Sequence, residues 1–126
     1  MSFRVAKRLL LVILTIMGII LSQKYSYPAD SKTPGHVKTV KTDQVCMVND
    51  TVMGKPQIPV PVDGKTYYGC CAGCVERIKG DRSVRFSKDP ATGREVDKAK
   101  AFITAEPNGS ALYFESRETA EKYYGQ

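Results

Sequence analysis

The 126-residue chain has a single histidine, His36, and nothing in the sequence sets a Ser, Cys or Asp beside it as an activated nucleophile. Without a nucleophile and base in company, hydrolysis or acyl transfer has no machinery. The acids are scattered, and no paired-carboxylate motif is present. These absences point away from an enzyme. A long apolar run is also missing. The longest, Leu9–Leu21, tolerates Thr15 and Gly18 and falls short of the roughly 17–25 residues that span a bilayer. The remaining absence is charge in the C-terminal part. Of 19 Lys and Arg, seven (Arg4, Lys7, Arg8, Lys24, Lys32, Lys38, Lys41) lie in residues 1–42 with one of the 13 acids, Asp30. Residues 43–126 therefore hold 12 of each sign and carry no basic footprint for phosphate backbones, so no nucleic-acid partner is expected.

What the N-terminus does have is topology. Arg4, Lys7 and Arg8 precede the apolar run in MSFRVAKRLLLVILTIMGIILSQ, the pattern of an export signal. No A-x-A-like cleavage site follows, and no cysteine is placed to accept a lipid. Residues 1–23 are expected to be a signal peptide or a membrane anchor, with an uncleaved anchor preferred and its cations at the inner headgroups. In either case the rest of the chain is exported, to the periplasm or the extracytoplasmic face. Residues 24–42, KYSYPADSKTPGHVKTVKT, are polar, carry Pro and Gly, and lack periodicity, so they read as a flexible tether. His36 lies in it and reads as solvated. The domain is expected over 43–126, a size at which a metal or a disulfide often supplements the core.

Within it, IPVPVDGKTYYG places two β-prone runs around Asp63-Gly64, a dipeptide favoured in type I′ hairpins. Pro59 and Pro61 put the Ile58–Val62 strand at a sheet edge. CCAGCVERIKGD then changes to helical spacing, with Cys74, Val75 and Ile78 to one side and Gly80 as a stop. AFITAEPNGSALYFESRETAEKYY repeats the order, with a helix starting near Ser116. Setting Asp63-Gly64 over Asn108-Gly109 puts Tyr68 over Tyr113, Cys70 over Glu115, Cys71 over Ser116 and Cys74 over Thr119. The expected fold is α+β, small antiparallel hairpins each followed by a short helix, either as a ββα duplication or as two hairpins alike by chance. DPATGREVDKAKA between them reads as a connecting loop with a short strand or helix.

The chemistry lies in the cysteines. Their pattern is C-x23-C-x3-C over Cys46, Cys70 and Cys74, with Cys71 inside the last pair. Cys70 ends a strand and Cys74 falls in the first helical turn, where backbone N–H groups favour a thiolate. A sheet can return Cys46 to the same corner.

These residues resemble the TRASH and YHS family of small metal-binding domains, which pair an early Cys with a later Y-Y-x-C-x-x-x-C run. The likeness is carried by DQVCMVND, with Asp43, Val45, Cys46 and Met47, and by KTYYGCCAGC, with Tyr67, Tyr68, Cys70 and Cys74. It covers roughly residues 43–80. ALYFESRETAEKYY is similar to a strand-helix unit of copper-carrying accessory proteins of nitrous-oxide reductase, without their ligands. The resemblance implies binding of a soft or borderline metal in trafficking, sensing or resistance, with a metal donor or acceptor protein as partner. Cys71 departs from the commoner polar residue at its place, which leaves it open as ligand, spare thiol or bystander.

Three thiolates suit Cu(I) in trigonal coordination, with Met47 or Met53 available as a weak thioether, although such methionines more often fill gaps in a core. Zn(II) wants a fourth ligand, for which Cys71, Asp50 or water is available. Two other classes stay open: a disulfide-stabilised interaction domain, and a thiol oxidoreductase using the C-x-x-C of Cys71 and Cys74.

Overall fold

The computed structural model describes residues 37–126; the expected signal or anchor over 1–23, the first part of the tether and His36 lie outside them. Eight short strands and two helices follow one another as β1 (Val45–Cys46), β2 (Thr51–Val52), β3 (Ile58–Val62), β4 (Lys65–Gly69), α1 (Ala72–Gly80), β5 (Phe86–Lys88), β6 (Glu95–Asp97), β7 (Phe102–Ala105), β8 (Ala111–Phe114) and α2 (Arg117–Tyr124). The strands pair consecutively into four antiparallel hairpins. The class is α+β, as expected. Among the described residues no helix is long and apolar enough to cross a membrane.

Both expected hairpins are present, β3–β4 and β7–β8, each followed by its helix; the difference is two further hairpins that no α-helix follows directly. The first hairpin precedes everything else, and the third replaces the connecting loop expected after Asp89. There the Asp89 carboxylate accepts the N–H groups of Ala91 (2.7 Å) and Thr92 (3.3 Å) and closes the turn between β5 and β6. Its other oxygen accepts the Glu115 N–H at 2.8 Å and fastens that turn to the end of β8.

The two ββα units share their order and the way each helix is entered, but not the hairpin turn: two residues join β3 to β4, whereas β7 and β8 pair only as far as Ala105 and Ala111, and Asn108 lacks the positive φ of Asp63. Asp63 and Gly64 take positive φ (51° and 73°), as a type I′ turn requires. Each helix is entered through an extended N-cap, Cys71 at φ −155°, ψ 170° and Ser116 at φ −158°, ψ 173°. Ser116 closes a capping box with Thr119, whereas Cys71 makes no side-chain cap bond.

Apolar side chains collect in two clusters. Val45, Val96, Ile103, Ala111 and Tyr113 form one. Met47, Val60, Tyr67, Ile78 and Val84 form the other. Val60 and Tyr67 face each other across β3 and β4, so the inward residues of this hairpin, with Ile78 of α1, supply most of the second cluster. Val45 and Met47 therefore anchor Cys46 between the clusters, and all three are fully buried. Burying such side chains stabilises by about 1.5–3 kcal/mol each, which fixes the chain on both sides of the thiol.

Residues 38–40, assigned to the tether by composition, run beside β7: Val40 donates to Ile103 O (3.0 Å) and Ala105 to Lys38 O (2.8 Å).

A candidate metal centre at the head of the first helix

Three separate arrangements bring the sulfurs together. The first sets the end of β1 against β4: the Met47 N–H donates to Tyr68 C=O at 2.9 Å, so the residue after Cys46 is bonded two residues before Cys70. The second fixes the turn that follows Cys46. Lys98, almost fully buried, donates from its ammonium to Met47 C=O at 2.8 Å and to Asp50 Oδ1 at 2.5 Å. A buried ammonium requires such partners, and these two lie at the ends of one turn. The third lets α1 come close. Gly69 ends β4, and a Cβ there would stand 3.0 Å from Cys74 Cβ and 3.3 Å from both Cys74 C and Val75 N. Any other residue would push the helix back by a few tenths of an ångström.

The outcome is a cluster in which the sulfurs of Cys46, Cys70 and Cys74 all lie within 4.8 Å of one another. Cys46 Sγ is 3.8 Å from Cys74 Sγ, and Cys70 Sγ is 3.6 Å from it. A disulfide needs about 2.05 Å, and all four cysteines are free. Metal–sulfur bonds of about 2.3 Å place ligand sulfurs ~3.8 Å apart in a tetrahedron and ~4.0 Å apart in a trigonal plane. One edge of the cluster already has the tetrahedral length and a second is 0.2 Å short of it, so the three cysteines can hold a metal ion with little movement.

Protons are unequally placed among the thiols. Burial alone would push the Cys46 thiol up, but the N–H groups of Asn49 and Val48 outweigh it and bring Cys46 below its ordinary value. Cys70 is pushed up to about 12, first by the neighbouring Cys46 and Cys74 thiols and then by burial. Cys74 is raised by burial and by its contact with Cys71. Cys71 is lowered, first by the Cys74 backbone N–H, which approaches its sulfur without closing a proper cap bond, and then by the Cys74 side chain. Cys46 is the thiol readiest to deprotonate within the trio, and Cys70 holds its proton until something replaces it.

The other sequence candidates fall differently. Cys71 touches Cys74 (3.5 Å) but stands outside the three-sulfur group. Met47, a candidate thioether, is a fully buried member of the second cluster, where an unbranched side chain fills the space between Val60, Tyr67 and Ile78. Met53 is 39% exposed. Asp50, the candidate oxygen ligand, has its carboxylate engaged by Lys98. Asn49, unforeseen, points its amide at Cys70 Sγ from 4.0 Å. Gly69 and Lys98 also escaped sequence reasoning. A glycine just before a cysteine pair was a usable signal for the first; a lysine in a polar stretch offered none.

Comparison with protein-family models, with curated proteins and with solved structures finds no match.

Proposed function

We propose that residues 43–126 form a non-enzymatic module that captures one thiophilic ion, Cu(I) or Zn(II), through the thiolates of Cys46, Cys70 and Cys74. The observation that carries this reading is the three-sulfur group at the head of α1, assembled from β1, the end of β4 and the helix itself. Its edges of 3.6 and 3.8 Å lie near those of a coordination polyhedron. The likeness of DQVCMVND and KTYYGCCAGC to TRASH and YHS domains points the same way, toward trafficking, sensing or resistance. The N-terminal cations and apolar run support an export signal or anchor, and with it work outside the cytoplasmic membrane.

Cys46 and Cys74 are buried, while Cys70 is half-buried and Cys71 exposed. An ion held there is reached from the Cys70–Cys71 side, which favours transfer by ligand exchange with a donor or acceptor protein over a sealed structural staple.

Native mass spectrometry of the full chain, titrated with Zn(II) and with Cu(I) under reducing conditions, tests the reading. One ion per chain is expected, abolished by Cys46→Ser or Cys74→Ser and retained in Cys71→Ser. A wild-type chain that takes up neither ion, or Cys46→Ser binding as well as wild type, refutes it.

A further inference from the structure

We infer that Cys71 and Cys74 form a redox-active dithiol which, on exchange with an external disulfide, withdraws Cys74 from the metal site and expels the ion. The inference rests on the metal reading above and adds its regulation.

Three observations carry it. Of the three sulfurs around Cys74 Sγ, that of Cys71 is the nearest, at 3.5 Å against 3.6 and 3.8 Å. Near-attack distances are about 3–3.5 Å, and closure to a bond of about 2.05 Å needs only a small rotation of an exposed side chain. Accessibility then sets the order of events. Cys71 is exposed and Cys74 is buried, so an incoming disulfide meets Cys71 first, and Cys74 is the sulfur waiting behind it. Cys71 also stands outside the three-sulfur group, so a bound ion leaves it free to react. Finally, Cys71 occupies the N-cap where Ser116, in the second ββα unit, closes a capping box; Cys71 closes no such bond. A serine would cap α1 better, so helix stability does not account for a thiol there.

The chemistry balances without a further reagent. The Cys71 thiolate attacks one sulfur of a small-molecule disulfide RSSR, forming Cys71–S–S–R and releasing one RS⁻. The Cys74 thiolate then attacks the Cys71 sulfur, forming the Cys71–Cys74 disulfide and releasing the second RS⁻. Two protein thiols are oxidised by two electrons, and one disulfide is reduced to two thiols. The ion, left with Cys46 and Cys70, is released. A dithiol reductant reverses the sequence and restores the site.

Full chain loaded with Zn(II), freed of reductant and treated with oxidised glutathione, should release one zinc to a chromophoric chelator. Release should keep step with a loss of two hydrogens that peptide mapping assigns to Cys71–Cys74. Cys71→Ser, which supplies the capping residue of the sister helix and so keeps the fold, should load zinc normally and release it roughly tenfold more slowly or worse. Equal release from Cys71→Ser, a map showing Cys46–Cys74 or Cys70–Cys74, or loss of zinc loading in Cys71→Ser would overturn the proposal. A wild-type chain that never loads zinc or Cu(I) defeats the metal reading and this inference together, whereas loading without disulfide-driven release defeats this inference alone.

Discussion

A methyl group placed on Gly69 would lie 3.0 Å from the Cβ of Cys74, close enough that the helix would have to give by a few tenths of an ångström. At the corresponding place in the second ββα unit stands Phe114, fully buried, with its ring 5.6 Å from Tyr123 and 6.1 Å from Tyr124 of α2. One unit holds its helix away from the hairpin with an aromatic ring; the other brings it onto the backbone. That difference sets Cys70 and Cys74 within 3.6 Å.

Gly69→Ala should therefore loosen the site without touching a ligand. Overpacking of this kind costs about 1–3 kcal/mol, so metal affinity measured by chelator competition should fall roughly tenfold or more. Gly80→Ala, where an added Cβ meets nothing within 4 Å, is the control and should leave affinity unchanged. Equal affinities for the two variants would show that the close approach does not matter to binding.

Affinity should rise with pH. Cys70, pushed up to about 12, and Cys74, also raised, are protonated near neutrality and must each lose a proton to the ion. Cys46 is lowered and releases a smaller share. The logarithm of the binding constant should climb by about two to three for each pH unit between 6 and 8. Proton release measured by calorimetry in buffers of different ionisation enthalpy checks the same quantity. A flat pH profile would mean the thiols are not the ligands.

Acid should unfasten the joint between the third hairpin and β8. Burial would push the Asp89 carboxyl up, yet the N–H of Glu115, the Thr119 hydroxyl and the N–H groups of Ala91 and Thr92 prevail and hold it below its ordinary value. A carboxyl with a lowered folded pKa adds stability that is present above the unfolded value, near 3.9, and is lost as pH falls through the folded one. Asp89→Asn should lower stability by about 1–3 kcal/mol at pH 7. It should also flatten the fall of the urea midpoint below pH 4. A variant that retains the wild-type acid limb would place that limb on another carboxylate, such as Asp97.

The parts of this architecture that were legible in the sequence rest on strong local signals. Asp63-Gly64 marks its hairpin, Ser116 its helix, and Cys46, Cys70 and Cys74 announce themselves by residue type and by the strand-to-helix change of period. β1 and β2 are two residues each and β5 and β6 three, too short to display alternation, so both hairpins escaped notice. Lys98 looks like a surface residue in DKAKA and is buried because two acceptors 48 and 51 residues away require it. Met47 could be read as a weak thioether or as a core gap-filler, and it is core. Long-range partners chose its role, and no local pattern records them.

Lys98 supplies the remaining test, because its ammonium is the link between β6 and the turn that carries Cys46. Lys98→Met keeps the length and apolar stem while deleting the donor. Asp50, with 42% of its side chain exposed, can turn to water. Met47 C=O belongs to a fully buried residue and loses its ammonium partner, at a cost of about 1–3 kcal/mol. The urea midpoint should fall by that amount with the slope unchanged, and alkylation of Cys46 in the metal-free chain should quicken as its turn opens more often. Lys79→Met is the comparison. Its pair with Glu76 is solvent-exposed, and such pairs contribute about 0–1 kcal/mol. Should the two lysine variants prove equally stable and their Cys46 thiols equally slow to alkylate, the turn after Cys46 is held by Met47 packing alone, and the ammonium has no part in presenting the thiol.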